Sequence, residues 1–595
     1  MQEQSFRRSP DSPKVKSSSQ RINEQSLIKI NDYQPVFTGY RIRLIACLDF
    51  FVYNSIMVTL NTKTKKVAVA AFLLAFFTFL SRVLGMLRNN LLGNIFPAEK
   101  VDIYLAAFRI PDLVYGLLIT GGIVAAFLPV FSSYFKKSDK ESKLLVRNVF
   151  TVFLFSLIIV SAILALFAPQ LAKLVVPGFN DLQRQETVAL MRIMFLSPLL
   201  LGVSAIVSGV LQYFHLFLAY ALAPIFYNLG IIFGILFLAP KYGLKGIAFG
   251  VVLGALFHLL IQIPPFLKKG FSLRPFLDLK SSGLKKIFSL MIPRTIGSAC
   301  HHFNLIVLTA IASTLVAGSI MVFNFSQDLY GVPLGLIGIS FAVASFPSLS
   351  RNFADRDKKE FLKNVSSSFS RIFYIALPMS VLMFIFRAQV VRLLYGTRIT
   401  GEGYFTWTST RLTAASLGLF TLSVFSACLI PFLARVFYSF HNTKTPVKIS
   451  VLSFTLNIIL SLVFVFLLKG DNLFRSTLGN ILKVSDIKDI AILALPLALS
   501  ISSIFNFILL IVALKRKMKT IVFSDSLLKV IVSSGGMGVL AYFSLRVFAF
   551  NTETVLGILL QLSLSSIIAV VSYILFSFLL KCPQSKAILL FLKKR

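Results

Sequence analysis

The chain has 595 residues, of which 56% are hydrophobic and 14% charged, and its mean hydropathy is +0.82. A water-soluble chain carries nearer a quarter charged residues, so this composition excludes a soluble enzyme or binding domain and indicates an all-α polytopic membrane protein. Sixty Lys and Arg against 23 Asp and Glu give +37, but the basic residues sit mainly in short connections between apolar runs, where they set topology and meet anionic lipid, not nucleic acid.

Residues 1–60 form a polar N-terminal extension, rich in Ser, Gln, Lys and Arg as far as about residue 35, where disorder is expected. The stretch 42–60 holds Arg43 and Asp49, which makes it a poor spanning helix, and no small-residue cleavage site follows it. Met57 opens MVTLNTKTKK directly before the first strong apolar run. Met1 and Met57 are both candidate start codons, and residues 1–56 are expected to be dispensable.

From Lys66 onward about fourteen runs have membrane length: 67–92, 101–134, 145–168, 186–213, 217–239, 244–267, 285–314, 318–350, 361–386, 410–438, 447–468, 487–514, 527–548 and 554–580. The expected organisation is a first lobe over 66–267, a second over 284–468 completed by a twelfth helix at 485–515, two C-terminal helices at 527–580, and a basic cytoplasmic tail at 581–595. Loop charges orient them. Lys136, Lys137, Lys140 and Lys143 follow the second span, and Lys268, Lys269, Arg274, Lys280, Lys285 and Lys286 follow the sixth. Basic clusters recur after the eighth and twelfth, placing both termini in the cytoplasm. Two connections depart from this rule, one with Arg387, Arg392 and Arg398, the other with Lys483 and Lys488.

The first two spans carry Arg82, Arg88, Asp102, Arg109 and Asp112 inside apolar sequence. A charge at bilayer depth costs about 3 kcal/mol on insertion scales, so such residues usually face a cavity and act there. At about 100° per residue, Ser81, Gly85 and Arg88 share a polar stripe with a glycine gap at its centre, flanked by Arg82 and Asn89, and Gly85 is expected to break the helix there. Asp102 and Arg109 share a face of the second span, which Pro111 is expected to break. Two cationic faces beside a kink suggest a buried anion pocket; the alternative, arginines snorkelling to headgroups, stays open.

The pattern repeats. FLSRVLG at 79–85 parallels MIPRTIG at 291–297, so Arg82 answers to Arg294; DLVYG at 112–116 parallels DLYG at 328–331; AFLP129 parallels SFP347. The first and second spans thus match the seventh and eighth, six spans apart, which makes the two lobes parallel pseudo-symmetric repeats around a central cavity. The eighth span adds Asn324, Ser326, Gln327 and Asp328, then Pro333 as a helix breaker before a Gly-rich run. Asn324 and Gln327 read equally as interhelical hydrogen-bonding groups or as cavity wall; Asp328 reads as functional. Asp102, Asp112 and Asp328 are the candidates for gating or ion pairing.

Nothing suggests chemistry. DDxxD, HExxH, GxSxG and Walker A patterns are absent, the four cysteines (Cys47, Cys300, Cys428, Cys582) form no CxxC, and adjacent His301 and His302 point about 100° apart on a helix. The expectation is a transporter, not an enzyme, with no metal or cofactor, driven by an ion gradient, the membrane potential or a partner.

SRVLGMLR at 81–88, FRIPDL at 108–113, AFLP at 126–129, APIFYNLG at 223–230, GISFAVASFPSLS at 338–350 and ARVFYSFHNTKTPVK at 434–448 together resemble the MurJ (MviN) family of lipid II flippases, over about 66–580. The resemblance implies a MOP-superfamily exporter fold with a V-shaped cationic cavity and two extra C-terminal helices forming a lipid-tail groove. It also implies a cargo, the undecaprenyl-pyrophosphate-linked disaccharide-pentapeptide of peptidoglycan synthesis, moved by alternating access in the bacterial cytoplasmic membrane. Ser81, Arg82, Arg88 and Asp102 match the family's functional positions. Tyr115 stands where many members have an arginine, and Ser326-Gln-Asp328 replaces an arginine-bearing segment, losses that Arg294 in the seventh helix would offset. The expected partners are lipid II, the bilayer and other wall-synthesis proteins, the chain itself acting as a monomer. The rival readings are an exporter of another lipid-linked oligosaccharide and a non-transporting scaffold of wall assembly.

Overall fold

Apolar runs of about 20 residues bury their backbone polar groups in lipid only by closing them into helices, and the described residues are built on that rule. The computed structural model describes residues 67–117, 123–396, 403–518, 526–550 and 554–585. The N-terminal extension, Arg398 and the last ten residues of the basic tail lie outside them, as does the side chain of Arg294.

Each expected span has a helical counterpart. The first is Val67–Ile95. The second comes in pieces, Ala98–Ala107, Arg109–Tyr115 and Val124–Lys137. The third to sixth are Asp139–Leu166, Asp181–Tyr213, Phe217–Tyr242 and Leu244–Lys268. Ser282–Ser313 is the seventh, Ser319–Ala354 the eighth and Lys358–Gly396 the ninth. The tenth is the pair Trp407–Thr421 and Val424–Ser439, bent by 47°; Lys444–Lys469, Ala491–Lys517, Ser526–Val547 and Val555–Leu579 complete the series. Ten of the described helices are long and apolar enough to cross a membrane, eleven if the bent pair counts as one. The remaining three, the first, second and seventh, carry every charged candidate except Asp328, which lies on the eighth.

Local chemistry sets the ends. Asn180 and Gln183 form a reciprocal capping box at the start of the fourth span, with both bonds 2.9 Å. Asp357 accepts from the Glu360 amide at 2.9 Å to begin the ninth. Three expected helix breakers behave differently from expectation. Gly85 sits inside the uninterrupted Val67–Ile95 helix. The second span breaks at Phe108, ahead of Pro111, because proline fits the first turn of Arg109–Tyr115, where its missing N–H has no intrahelical acceptor to lose. Pro333 does not end the eighth span; the helix widens into a π-type stretch at Leu334–Ile339 and runs on to Ala354, and such bulges absorb a disrupted hydrogen-bond ladder.

Spans one to six pack among themselves, spans eight to twelve do likewise, and the thirteenth and fourteenth pair with each other and lie on the ninth. The Tyr573 hydroxyl donates to the Tyr374 carbonyl at 2.6 Å and helps anchor that C-terminal pair. The seventh span, assigned from the repeat to the second lobe, packs on both. It meets the second, third and eleventh spans, with Phe153 stacked on Phe288 at 5.4 Å and Asn457 donating to Asn304 at 2.8 Å.

Candidate functional site

The Ser81–Gly85–Arg88 stripe of the first span faces the fifth. Asn228 spans the gap: its Nδ2 donates to Ser81 Oγ at 3.2 Å, and its Oδ1 accepts from Arg88 Nη1 at 3.3 Å. Gly85 lies beside this contact without being required for it, since a Cβ there would sit 3.8 Å from Asn228 Oδ1, in ordinary contact. Arg88 turns its other edge to Asn89 Oδ1, at 3.1 Å from Nε and 3.0 Å from Nη2. Asn89 passes the connection on, its Nδ2 donating to Asp328 Oδ2 at 2.6 Å. Two neutral amides thus hold Arg88, and one of them, Asn89, links it across to the Asp328 carboxylate of the other lobe.

Arg109, just past the break in the second span, reaches the other lobe. Its Nε donates to Thr309 Oγ1 of the seventh span at 2.7 Å and its Nη2 to Asn324 Oδ1 of the eighth at 2.5 Å. Asp112 lies one turn on, its Oδ2 3.9 Å from His302 Nδ1. A Cβ on Gly116 would fall inside the His302 ring, so glycine at 116 makes room for the imidazole. Asp328 feels the positive charges of Arg88, Arg109 and Arg82 together.

Arg82 lies over the eighth span where that helix has no side chains. Its guanidinium occupies the space a Cβ on Gly335 would need and comes close to Gly331. Among the described residues it makes no hydrogen bond or ion pair. Three guanidiniums therefore gather near Asp328, with Asp112 close to Arg109; two are tethered largely by neutral groups, and the third is uncommitted among the described residues. Such a set suits an oxyanion with several acceptors, because guanidinium offers a planar fork that phosphate accepts in pairs.

Asp102 is elsewhere. It is 3% exposed and sits where the second span begins, with Oδ2 accepting from the Gly318 amide and Oδ1 from the Met321 amide, both at 2.7 Å. It caps the eighth span from the opposite lobe and does not face Arg109. The bonds around it form a seam: Asn90 donates to the Leu394 carbonyl at 2.8 Å, Asn94 to the Tyr395 carbonyl at 3.0 Å, the Tyr404 amide to the Asn94 carbonyl at 3.0 Å, and the Gly178 amide to Ser313 Oγ at 3.2 Å. Each joins the two lobes at one end of the bundle, where the first, third, seventh and ninth spans finish. That end is closed.

Of the sequence candidates, the structure brings together Ser81, Arg82, Arg88, Arg109, Asp112 and Asp328. It sets Asp102 apart, and it places the backbone of Arg294 in the seventh span. Sequence reasoning missed Asn228, Thr309 and His302. The first lay in view within APIFYNLG; Thr309 is a single hydroxyl in an apolar helix and carried no separate signal, and His302 was weighed beside His301 only as a metal ligand.

The model of the family described as lipid II flippase MurJ matches residues 89–565 of the chain. A probable lipid II flippase MurJ of Buchnera aphidicola subsp. Acyrthosiphon pisum is 29% identical over 398 residues, covering 65% of this chain and 76% of its own. The lipid II flippase MurJ of Burkholderia cenocepacia is 28% identical over 385 residues, covering 63% and 74%. Among solved structures, a lipid II flippase MurJ in an inward closed conformation superposes with a TM-score of 0.67 at 22% identity, over 85% of this chain and 98% of that one. An inward-facing multidrug resistance MATE family transporter of the MOP superfamily reaches 0.56 at 14% identity, over 74% and 96%.

Proposed function

The chain belongs to the lipid II flippase MurJ family, and from that premise we propose that it carries lipid II across the bacterial cytoplasmic membrane with its pyrophosphate held by Arg82, Arg88 and Arg109. The observation that carries this reading is the uncommitted guanidinium of Arg82 over the bare backbone of Gly331 and Gly335, beside two arginines held mostly by neutral amides and a hydroxyl. A lipid pyrophosphate must leave the hydrated headgroup layer to cross. In a site of low effective dielectric, charge-assisted hydrogen bonds replace part of the lost hydration. The cargo competes with Asp328 for the arginines, so release follows when the lobes separate and the carboxylate regains them. The work is binding and reorientation, with no bond made or broken. Both termini face the cytoplasm, the closed seam faces the outside, and an ion gradient or the membrane potential drives the cycle.

The test is survival, and exposure of lipid II at the outer surface, in cells depleted of their own flippase and expressing each variant at matched membrane levels. Arg82→Ala is expected to be inactive while still inserting. Arg82→Lys should be impaired, because lysine keeps the charge and loses the planar fork. Arg294→Ala should be nearly as severe, since Tyr115 and Asp328 leave fewer cations in this cavity. Full activity of Arg82→Ala and Arg294→Ala would refute the clamp.

A further inference from the structure

The two connections that break the loop-charge rule converge on one place. Arg387 and Arg392 at the end of the ninth span, Arg411 at the start of the tenth, and Lys483 line a cavity of about 260 Å³, whose described lining contains no carboxylate. Its apolar wall includes Leu482 and, from the start of the fourteenth span, Ile558. Arg387 is packed over the Phe384 ring, 4.6 Å from its centroid, and donates to the Phe384 carbonyl at 2.7 Å; Arg392 lies over Trp407 at 5.3 Å. Ring stacking orients a guanidinium without neutralising it. Arg411 alone has an acid, Asp486, which accepts from its Nη1 at 2.6 Å, while its Nη2 also donates to the Lys483 carbonyl and pins that loop. Among the described residues the cluster thus keeps three positive charges without a paired acid, around a cavity large enough for a phosphate group and part of a headgroup.

Its depth points to the ligand's source. Trp407 is 60% exposed, the side chain that membrane proteins favour at headgroup level. Val555 and Leu556, one turn from Ile558, are exposed apolar side chains, so the cavity opens where the apolar belt ends. Basic residues on the end that the other loops assign to the outside gain nothing from topology, and packed cationic pockets between spans recognise lipid phosphates.

We propose that this pocket is a second anion site, separate from the transport cavity, that takes the phosphoryl group of an anionic membrane lipid. The experiment uses the purified full-length chain and native mass spectrometry, titrating phosphatidylglycerol against zwitterionic phosphatidylcholine, with inorganic phosphate as a separate arm. Phosphatidylglycerol should be retained preferentially. Arg387→Gln combined with Arg392→Gln should weaken it roughly tenfold, about 1.4 kcal/mol, while Arg356→Gln, in a loop at the opposite end of the bundle, should not. Lys483→Glu, at an exposed loop residue where folding is not at stake, should act in the same direction, and Asp486→Asn should strengthen binding by freeing Arg411. Loss of the lipid adducts on adding inorganic phosphate would keep the site and assign it to soluble phosphate. Unchanged phosphatidylglycerol binding in both the folded double variant and Lys483→Glu would overturn the proposal.

Discussion

Asp102 shows how far a single residue's role depends on partners that its own sequence neighbourhood does not reveal. An acid in an apolar run signals a function, and its spacing from Arg109 suggests a shared face; its actual partners are two backbone amides 216 and 219 positions away. No side-chain pattern encodes a backbone N–H. The arginines were legible for the opposite reason, because each is costly at bilayer depth and so must be placed with purpose. Asn228 and Thr309 were not, since one amide or hydroxyl in an apolar helix is also what ordinary interhelical bonding requires. The geometry makes Asp102→Asn informative. Asparagine keeps one acceptor oxygen but turns an NH₂ group toward the other amide, leaving a buried N–H unmatched at a cost of about 1–3 kcal/mol. At tenfold per 1.4 kcal/mol, the closed seam should open more often by roughly one order of magnitude. The variant should insert normally, transport more slowly, and show raised labelling of a cysteine introduced at Ser319. Labelling equal to that of the parent would mean the carboxylate is not a latch.

Between elements, backbone meets backbone where the fifth and sixth spans cross, at Gly230 and Gly234 against Gly246, Gly250 and Gly254. A Cβ on Gly230 or Gly254 would overlap backbone of the facing helix, and Gly234 and Gly250 exclude one another's Cβ in the same way. Small residues four apart allow two membrane helices to approach backbone to backbone. Gly250→Leu should therefore strip the protein from the membrane fraction, whereas Gly85→Ala, with its nearest neighbour 3.8 Å from the added Cβ, should accumulate normally. Normal levels of Gly250→Leu would show that the crossing tolerates separation. The repeat was readable at this scale too. Spans four and ten both turn on a histidine of positive φ, His215 at 59° and His441 at 57°. Beside each turn a lysine closing the sixth or twelfth helix lies over the preceding phenylalanine, Lys269 over Phe214 at 5.9 Å and Lys517 over Phe440 at 4.5 Å. What the repeat could not convey was the seventh span's double allegiance, because its contacts with the first lobe have no counterpart in the pattern that defines the lobes.

Across the whole molecule, span number and order were legible because lipid dictates both the length and the helical state of an apolar run. Which end of the cavity is shut was not, since that depends on weak polar contacts between segments hundreds of residues apart. The loop charges yield an orientation that is checked independently. Lys280 is exposed in the connection after the sixth span, which the charges place inside, so Lys280→Cys in intact cells should resist an impermeant thiol reagent and react only after permeabilisation. Prompt labelling from outside would invert the topology and with it the direction of the closed seam.

Alternating access demands that the seam open in every cycle, and the structure offers a place to stop it. Asn94 of the first span and Gly403, beside the tenth, lie so close that a Cβ on Gly403 would be 3.3 Å from the Asn94 Cβ, near the 3.5–4.5 Å typical of a disulfide. Asn94→Cys with Gly403→Cys, in a background where Cys47, Cys300, Cys428 and Cys582 are replaced by serine or alanine, should cross-link the two lobes under mild oxidation. Asn94→Cys alone loses the contacts of one amide and should still support growth of flippase-depleted cells; Gly403→Cys alone must push the Asn94 amide aside, an overlap that the double variant relieves. The oxidised pair should lose transport almost completely, and a reductant should restore it, because the bond removes the outward-opening motion without touching Arg82, Arg88 or Arg109. Binding of cargo from the inner side should survive the cross-link, which separates a blocked gate from a damaged site. If the fully cross-linked protein carried lipid II at the rate of its reduced form, the lobes would not part at this end and the rocking mechanism would have to be abandoned.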